Sequence, residues 1–196
     1  MIVIGLTGNI GSGKSLAAEF LRQCGAAVID ADSLGHQVLE PGGAAYADVV
    51  AAFGREFLRP DGSIDRRRLG AHVFADPQRL QQLNALTHPA IDAAVRRQLD
   101  EFRRRGEGVA VIESALLFQT ALQELTDEDW LIVAPREKLL RRAAKRDRCD
   151  PQQIEKRLAN QVPGDELRVY ADRVIENDGT QAELQEKISR LYRTLL

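Results

Sequence analysis

Gly8-Asn9-Ile10-Gly11-Ser12-Gly13-Lys14-Ser15 fills every fixed position of the pattern G-x-x-x-x-G-K-[ST]. The apolar run Ile2-Val3-Ile4-Gly5-Leu6 precedes it, and a segment with Leu16, Ala17, Phe20, Leu21 and Cys24 on one helical face follows. Strand, glycine-rich loop and helix therefore come in the order that a phosphate-binding loop requires. Glycines at 8, 11 and 13 let backbone N–H groups converge on phosphate oxygens, because they tolerate positive φ and close approach. A helix beginning near Lys14 aims its unpaired N–H groups and positive dipole end at the same anion. Lys14 is placed to reach the β- and γ-phosphates, and the Ser15 hydroxyl to hold a magnesium ion. A turn that binds nothing would need all of these residue types to coincide by accident. The chain is expected to bind a nucleoside triphosphate.

Composition narrows the class. A length of 196 residues suits one α/β domain with room for an inserted subdomain. A net charge of −2 gives no global pull toward nucleic acid or membrane, so a polyanionic substrate must be met by local clusters of arginine and lysine. The two cysteines, Cys24 and Cys149, lack metal-ligand spacing, and Cys24 reads as a buried free thiol on the first helix. No apolar run approaches a membrane span, and the N-terminus opens directly on a strand. A soluble cytoplasmic protein is expected, neither nucleic-acid-binding nor membrane-bound.

Beyond the first helix, Gly25 is a natural helix stop, and Ala26-Ala27-Val28-Ile29 forms a second strand ending in Asp30-Ala31-Asp32. Ligands of such sheets sit beyond the carboxyl ends of the strands, so a carboxylate just past a strand faces the crevice. Helix capping competes for these residues, since aspartate is a good N-cap. Asp30 is assigned to the turn and Asp32 to the ligand.

From residue 33 to 105 the pattern becomes helical and polar, broken at Glu40-Pro41-Gly42-Gly43 and Pro60-Asp61-Gly62. Val49, Val50 and Phe53 mark one helix, and Leu80, Leu83 and Leu86 another that closes at His88-Pro89. A third starts at Pro89, with Ile91, Val95, Leu99 and Phe102 inward. Its outward Arg96, Arg97, Arg103, Arg104 and Arg105 read as a solvated face. Asp65-Arg66-Arg67-Arg68 is either a helix start or an anion contact. The span is too long for a βα connection and reads as a helical insertion that receives the second substrate.

The sheet resumes at Val109-Ala110-Val111-Ile112, apolar as a buried parallel strand should be. Glu113 at its end either orients a magnesium-bound water or caps the next segment, and Ala115-Leu116-Leu117-Phe118 reads as core. Trp130 to Ala134 is the next strand. A basic helix then carries Lys138, Arg141, Arg142, Lys145, Arg146 and Arg148, and Asp150-Pro151 starts a further helix with Arg157 and Gln161 that Pro163-Gly164 breaks. An arginine-rich helical hairpin after a late strand suits a lid that neutralises a transferring phosphoryl group and excludes water. Arg173-Val174-Ile175 is the last strand, Asn177-Asp178-Gly179 a turn, and Thr180 to Glu183 a capping box for a final helix. Alternation of strands and helices predicts an α/β fold: a P-loop NTPase-type parallel sheet of about five strands, flanked by helices, with a helical substrate-binding insertion and a helical lid. The expected division is a core of 1–32, 106–135 and 168–196, an insertion of 33–105 and a lid of 136–167.

Taken end to end, the chain resembles the dephospho-CoA kinase family. Gly5-Leu6-Thr7 leading into the loop, Val28-Ile29-Asp30-Ala31-Asp32, Glu40-Pro41-Gly42, Leu83-Asn84 with His88-Pro89, Leu116-Leu117, Arg146-Asp147 and Ala171-Asp172-Arg173-Val174-Ile175-Glu176-Asn177 carry the resemblance. It implies ATP-dependent phosphorylation of the ribose 3′-hydroxyl of dephospho-coenzyme A, with magnesium as cofactor, by a monomer or small homo-oligomer. It further implies Asp32 as catalytic base and Lys14 and Arg142 as catalytic cations. ATP contacts are implied at Gly8, Gly11, Ser12, Gly13, Lys14, Ser15 and Leu16, and acceptor contacts at Thr7, Asp32 and His88. Asn9 stands where that family usually has glycine, Leu16 where it has threonine, Glu113-Ser114-Ala115 replaces Asp-x-Pro, and Gln119 and Leu139 replace Glu and Gln. Spacing alone does not rank Arg142 above Arg141 and Arg146. Another small-molecule or nucleotide kinase is the alternative; a GTPase switch would need an Asn-Lys-x-Asp stretch, and the sequence has none.

Overall fold

The structure is a computed structural model and describes residues 1–195. Its strands are β1 (Ile2–Thr7), β2 (Ala27–Asp30), β3 (Val109–Glu113), β4 (Glu128–Val133) and β5 (Arg173–Glu176). All pair in parallel, in the order β2-β3-β1-β4-β5, as the alternation of strands and helices predicts. The helices are α1 (Lys14–Gln23), α2 (Ala31–Gln37), α3 (Tyr46–Phe53), α4 (Arg66–Phe74), α5 (Pro77–Arg105), α6 (Arg136–Asp147), α7 (Pro151–Ala159), α8 (Gly164–Leu167) and α9 (Gln181–Arg193). The capping box at α9 is present, with Thr180 and Glu183 bonding each other's backbone N–H.

Period-two alternation sends the strand side chains to two cores. Ile4, Leu6, Val111, Trp130 and Ile132 face Phe20 and Leu21 of α1 and Leu184 and Ile188 of α9. Leu131 and Val133 point the other way, against Leu167 with Phe118 and Val174. Cys24 is a free thiol, half-buried, with its sulfur 3.5 Å from Ser189 Oγ. Leu117 is fully buried as core, but its neighbour Leu116 is 46% exposed, because the short 3-10 turn Leu117–Gln119 rotates one leucine in and the other out.

Backbone packing divides the chain into two units, residues 1–30 with 99–196, and residues 31–98. The second unit has its own core of Val38, Val49, Phe53, Ile64, Leu69 and Val73. Asp65 there proves to be a helix start: its carboxylate accepts the Arg67 and Arg68 N–H groups. The expected break at Pro89 does not occur. α5 runs unbroken for 29 residues with Pro89 inside it. Proline in a helix interior forfeits a hydrogen bond and costs about 3 kcal/mol. The apolar stripe continues across it, however, from Leu83 and Leu86 through Ala90 and Ile91 to buried Val95 and Leu99. Burying large side chains at about 1.5–3 kcal/mol each outweighs one proline. Arg103, Arg104 and Arg105 are exposed, as a solvated face should be.

Candidate active site

The phosphate loop joins the end of β1 to the first turn of α1. Gly13 occupies the N-cap position with φ 100, a left-handed conformation that glycine adopts without strain. A Cβ there would stand 2.2 Å from Asn177 Nδ2, so the close approach demands glycine as much as the dihedral does. Two loop N–H groups are bound within the protein, Ser12 to Asn9 O at 3.0 Å and Ile10 to Gln161 Oε1 at 3.0 Å. They brace the loop rather than face an anion.

Glu113, the last residue of β3, sits level with Leu6 and on the face that carries α1. Its Oε1 accepts from Lys14 Nζ at 2.9 Å and from Ser15 Oγ at 2.7 Å. The ion pair is largely out of water, with side-chain exposures of 11% and 7%. A buried carboxylate must be paired or hydrogen-bonded, and one oxygen here serves both Lys14 and Ser15. Glu113 thus spends its carboxylate on Lys14 and Ser15 at the head of α1.

Three arginines of α6 have different surroundings. Arg142 Nη1 donates to Asn177 O at 3.1 Å, and Asn177 Nδ2 donates to Ser12 O at 2.6 Å. A relay of two side chains therefore ties the basic helix to the loop. Arg146 bonds Asp147, which also accepts from Arg157, so that pair braces α6 against α7. That hydrogen bonding holds the Asp147 carboxyl below the usual carboxylate range. Arg141 is exposed. Tertiary structure thus separates Arg142 from its neighbours.

The remaining candidates are distributed as follows. Thr7 ends β1 and is buried, with 1% exposure, and Gly8 follows it directly. The Ser12 hydroxyl is buried without a hydrogen-bond partner, on the wall of a cavity of about 380 Å³ that Asn9, Val133 and Gly164 also line. Leu16 packs its side chain toward the α1 core. Asp32 lies in the first turn of α2, two residues beyond the end of β2. His88 lies within α5, and burial pushes its pKa below the ordinary histidine value. Both belong to the unit of residues 31–98.

Sequence reasoning gave Asn177 no contact with the loop, reading it as a turn and as the end of a stretch shared with the family, and left Glu113 open between two roles. It gave Asn9 and Gln161 no function. Each acts through a partner far along the chain, 165 residues away for Asn177 and Ser12. Local pattern carries no such signal.

A family model described as dephospho-CoA kinase matches residues 2–183. A dephospho-CoA kinase from Geobacter sulfurreducens is 43% identical over 192 residues, covering 98% of each chain. Among solved structures, a Thermus thermophilus protein superposes with a TM-score of 0.85 at 33% identity, covering 100% of this chain and 98% of the other. A dephospho-CoA kinase from Campylobacter jejuni superposes with a TM-score of 0.72 at 25% identity, covering 98% and 96%.

Proposed function

The chain belongs to the dephospho-CoA kinase family, and we propose how its residues divide the work of that family's reaction. The enzyme transfers the γ-phosphoryl group of ATP to the ribose 3′-hydroxyl of dephospho-coenzyme A, giving coenzyme A and ADP, the last step of coenzyme A synthesis. Phosphoryl transfer passes through a loose transition state that needs alignment and charge neutralisation more than covalent chemistry. One observation carries our assignment: Lys14 and Ser15 meet at a single oxygen of buried Glu113. That contact holds Lys14 beside the loop at the helix N-terminus, which supports its meeting a phosphate with little reorganisation.

Arg142, tied to the loop through Asn177, adds the second cation. Gly8, Gly11, Ser12 and Gly13 shape the cradle. Asp32 hydrogen-bonds the 3′-hydroxyl, aligns it and accepts its proton late. Its place just past the carboxyl end of β2 and the family resemblance support that role. Thr7 and His88 are assigned to the acceptor, and Leu16 to ATP, on the resemblance alone.

The Ser15 hydroxyl and Glu113 carboxylate, 2.7 Å apart, are hard oxygen donors of the kind that hold magnesium together with phosphates and water. They fit that ion and would hold it, and it would neutralise charge on the β- and γ-oxygens. We read residues 33–105 as the acceptor-binding insertion and 136–167 as the lid. Among the described residues no helix is long and apolar enough to cross a membrane. We place the enzyme in the cytoplasm, as a monomer or small homo-oligomer.

The test is ADP release from ATP with dephospho-CoA, AMP or shikimate as acceptor, with the product identified by mass. Dephospho-CoA should be phosphorylated far faster than either alternative. Preferred turnover of AMP or shikimate would overturn the assignment.

A further inference from the structure

The phosphate loop is held from the lid side by residues that the reaction above does not use. Gln161, two residues past the end of α7, accepts the Ile10 N–H at 3.0 Å. Asn9 Nδ2 donates to Val162 O at 2.9 Å and lies 3.4 Å from the same Gln161 oxygen. Gly164 follows so closely that a Cβ there would stand 2.9 Å from Asn9 Oδ1. On the other flank, the Leu139 carbonyl of α6 lies 2.3 Å from where a Cβ on Gly11 would be.

Asn9 and Ile10 form the apex of the loop and belong to no strand or helix. Ordering backbone costs conformational entropy at every residue, and more where glycines surround it. Loop N–H groups stabilise a phosphate best when they already point at it. Something outside the loop must therefore hold the apex, and residues 161 and 162 do so.

We propose that Gln161 is a positioning residue: through the Ile10 N–H it fixes the apex of the phosphate loop, and so couples loop order to the segment that leaves the lid. Asn9 secures the same segment through Val162. The lid arginines and the loop amides then move as one assembly, because both ends of the hairpin adjoin the loop, α6 by the close approach of the Leu139 carbonyl to Gly11 and residue 161 by its bond to Ile10. This coupling rests on the kinase reading of the loop, but its first test does not.

Amide exchange of Ile10 is to be followed by NMR in the nucleotide-free parent, Gln161→Ala and Gln161→Glu. Losing the acceptor should speed Ile10 exchange roughly tenfold while β1 and α9 amides stay unchanged. Gln161→Glu keeps an acceptor oxygen and should keep Ile10 protected. Calorimetry with ADP is the second readout. Gln161→Ala should weaken binding roughly 3- to 10-fold, the range of one neutral hydrogen bond. Gln161→Glu should weaken it too, by placing negative charge beside the phosphates. Glu155→Ala, which removes only the exposed Arg136 ion pair of the hairpin, should leave Ile10 exchange as in the parent. Unchanged Ile10 exchange in Gln161→Ala overturns the proposal, as does faster exchange spread across the sheet or ADP affinity equal to the parent's. Failure of the parent to bind ADP would count against the kinase reading instead.

Discussion

Glu113 and Asp129 are both buried to 5% exposure in one sheet. Glu113 is level with Leu6 of β1 and Asp129 with Gly5, one residue apart and on opposite faces. Glu113 meets a cation and a hydroxyl of the phosphate loop. Asp129 meets only neutral donors, Thr126 Oγ1 at 2.8 Å and Gln123 Nε2 at 3.0 Å, while its N–H donates to Asp172 Oδ2. Burial then pushes the Asp129 pKa up, with the Asp172 charge adding to it. Equal burial thus gives unequal chemistry. Glu113 holds a cation and a hydroxyl together at the head of α1, whereas the donors to Asp129 make a strut for the turn after residue 120. The partner, and not the depth of burial, separates the two carboxylates.

A third carboxylate extends the comparison, since Asp32 is exposed and needs no burial to account for it. Asp32→Asn keeps the shape, and within the first turn of α2 the lost charge–dipole contact costs only about 0.3–1 kcal/mol, so a structural role predicts little change. As general base, its loss should lower kcat by roughly 10²–10⁴-fold with melting temperature unchanged. Asp30→Asn, assayed in parallel, should lose far less. Equal small losses would return Asp32 to the helix terminus.

Lys14→Ala removes the cation from the functional pair. Turnover should fall by about 10²–10³-fold, as for loss of one preorganised donor, with the circular dichroism spectrum retained. Near-normal turnover would take the loop out of the mechanism.

Glu113→Gln keeps the oxygen that Lys14 and Ser15 bond but removes its charge. A hydrogen bond to a charged group contributes about 1.5–3 kcal/mol, so turnover should fall by roughly 10- to 100-fold. Asp129→Asn should leave turnover intact. If the two substitutions harmed turnover alike, the contrast between the faces would fail.

The smallest effect separates them by pH. Asp129 has a raised pKa in the folded protein, so the fold holds its proton more tightly than the unfolded chain does. Its contribution is fully present below the ordinary carboxylate pKa of about 4 and is lost as pH rises through the raised value. The melting temperature of the parent relative to Asp129→Asn should therefore drop across that window. A constant difference between the two melting curves would refute the raised pKa.

By itself the sequence determined the phosphate loop, the five parallel strands, the arginine-rich hairpin and the caps at Thr180 and Asp150. These follow from residue type and spacing within a few positions, which is the range over which backbone propensity, capping and apolar periodicity act. Tertiary structure decided the rest. It carried α5 through Pro89, because a core on both sides outweighed a local breaker. It turned Leu116 out beside buried Leu117, set Arg142 apart from Arg141 and Arg146, and gave Glu113 its partners 98 and 99 residues away. Hydrogen bonds and ion pairs of this kind join atoms that only the folded sheet brings together, and no short-range pattern in the chain encodes which side chains will meet.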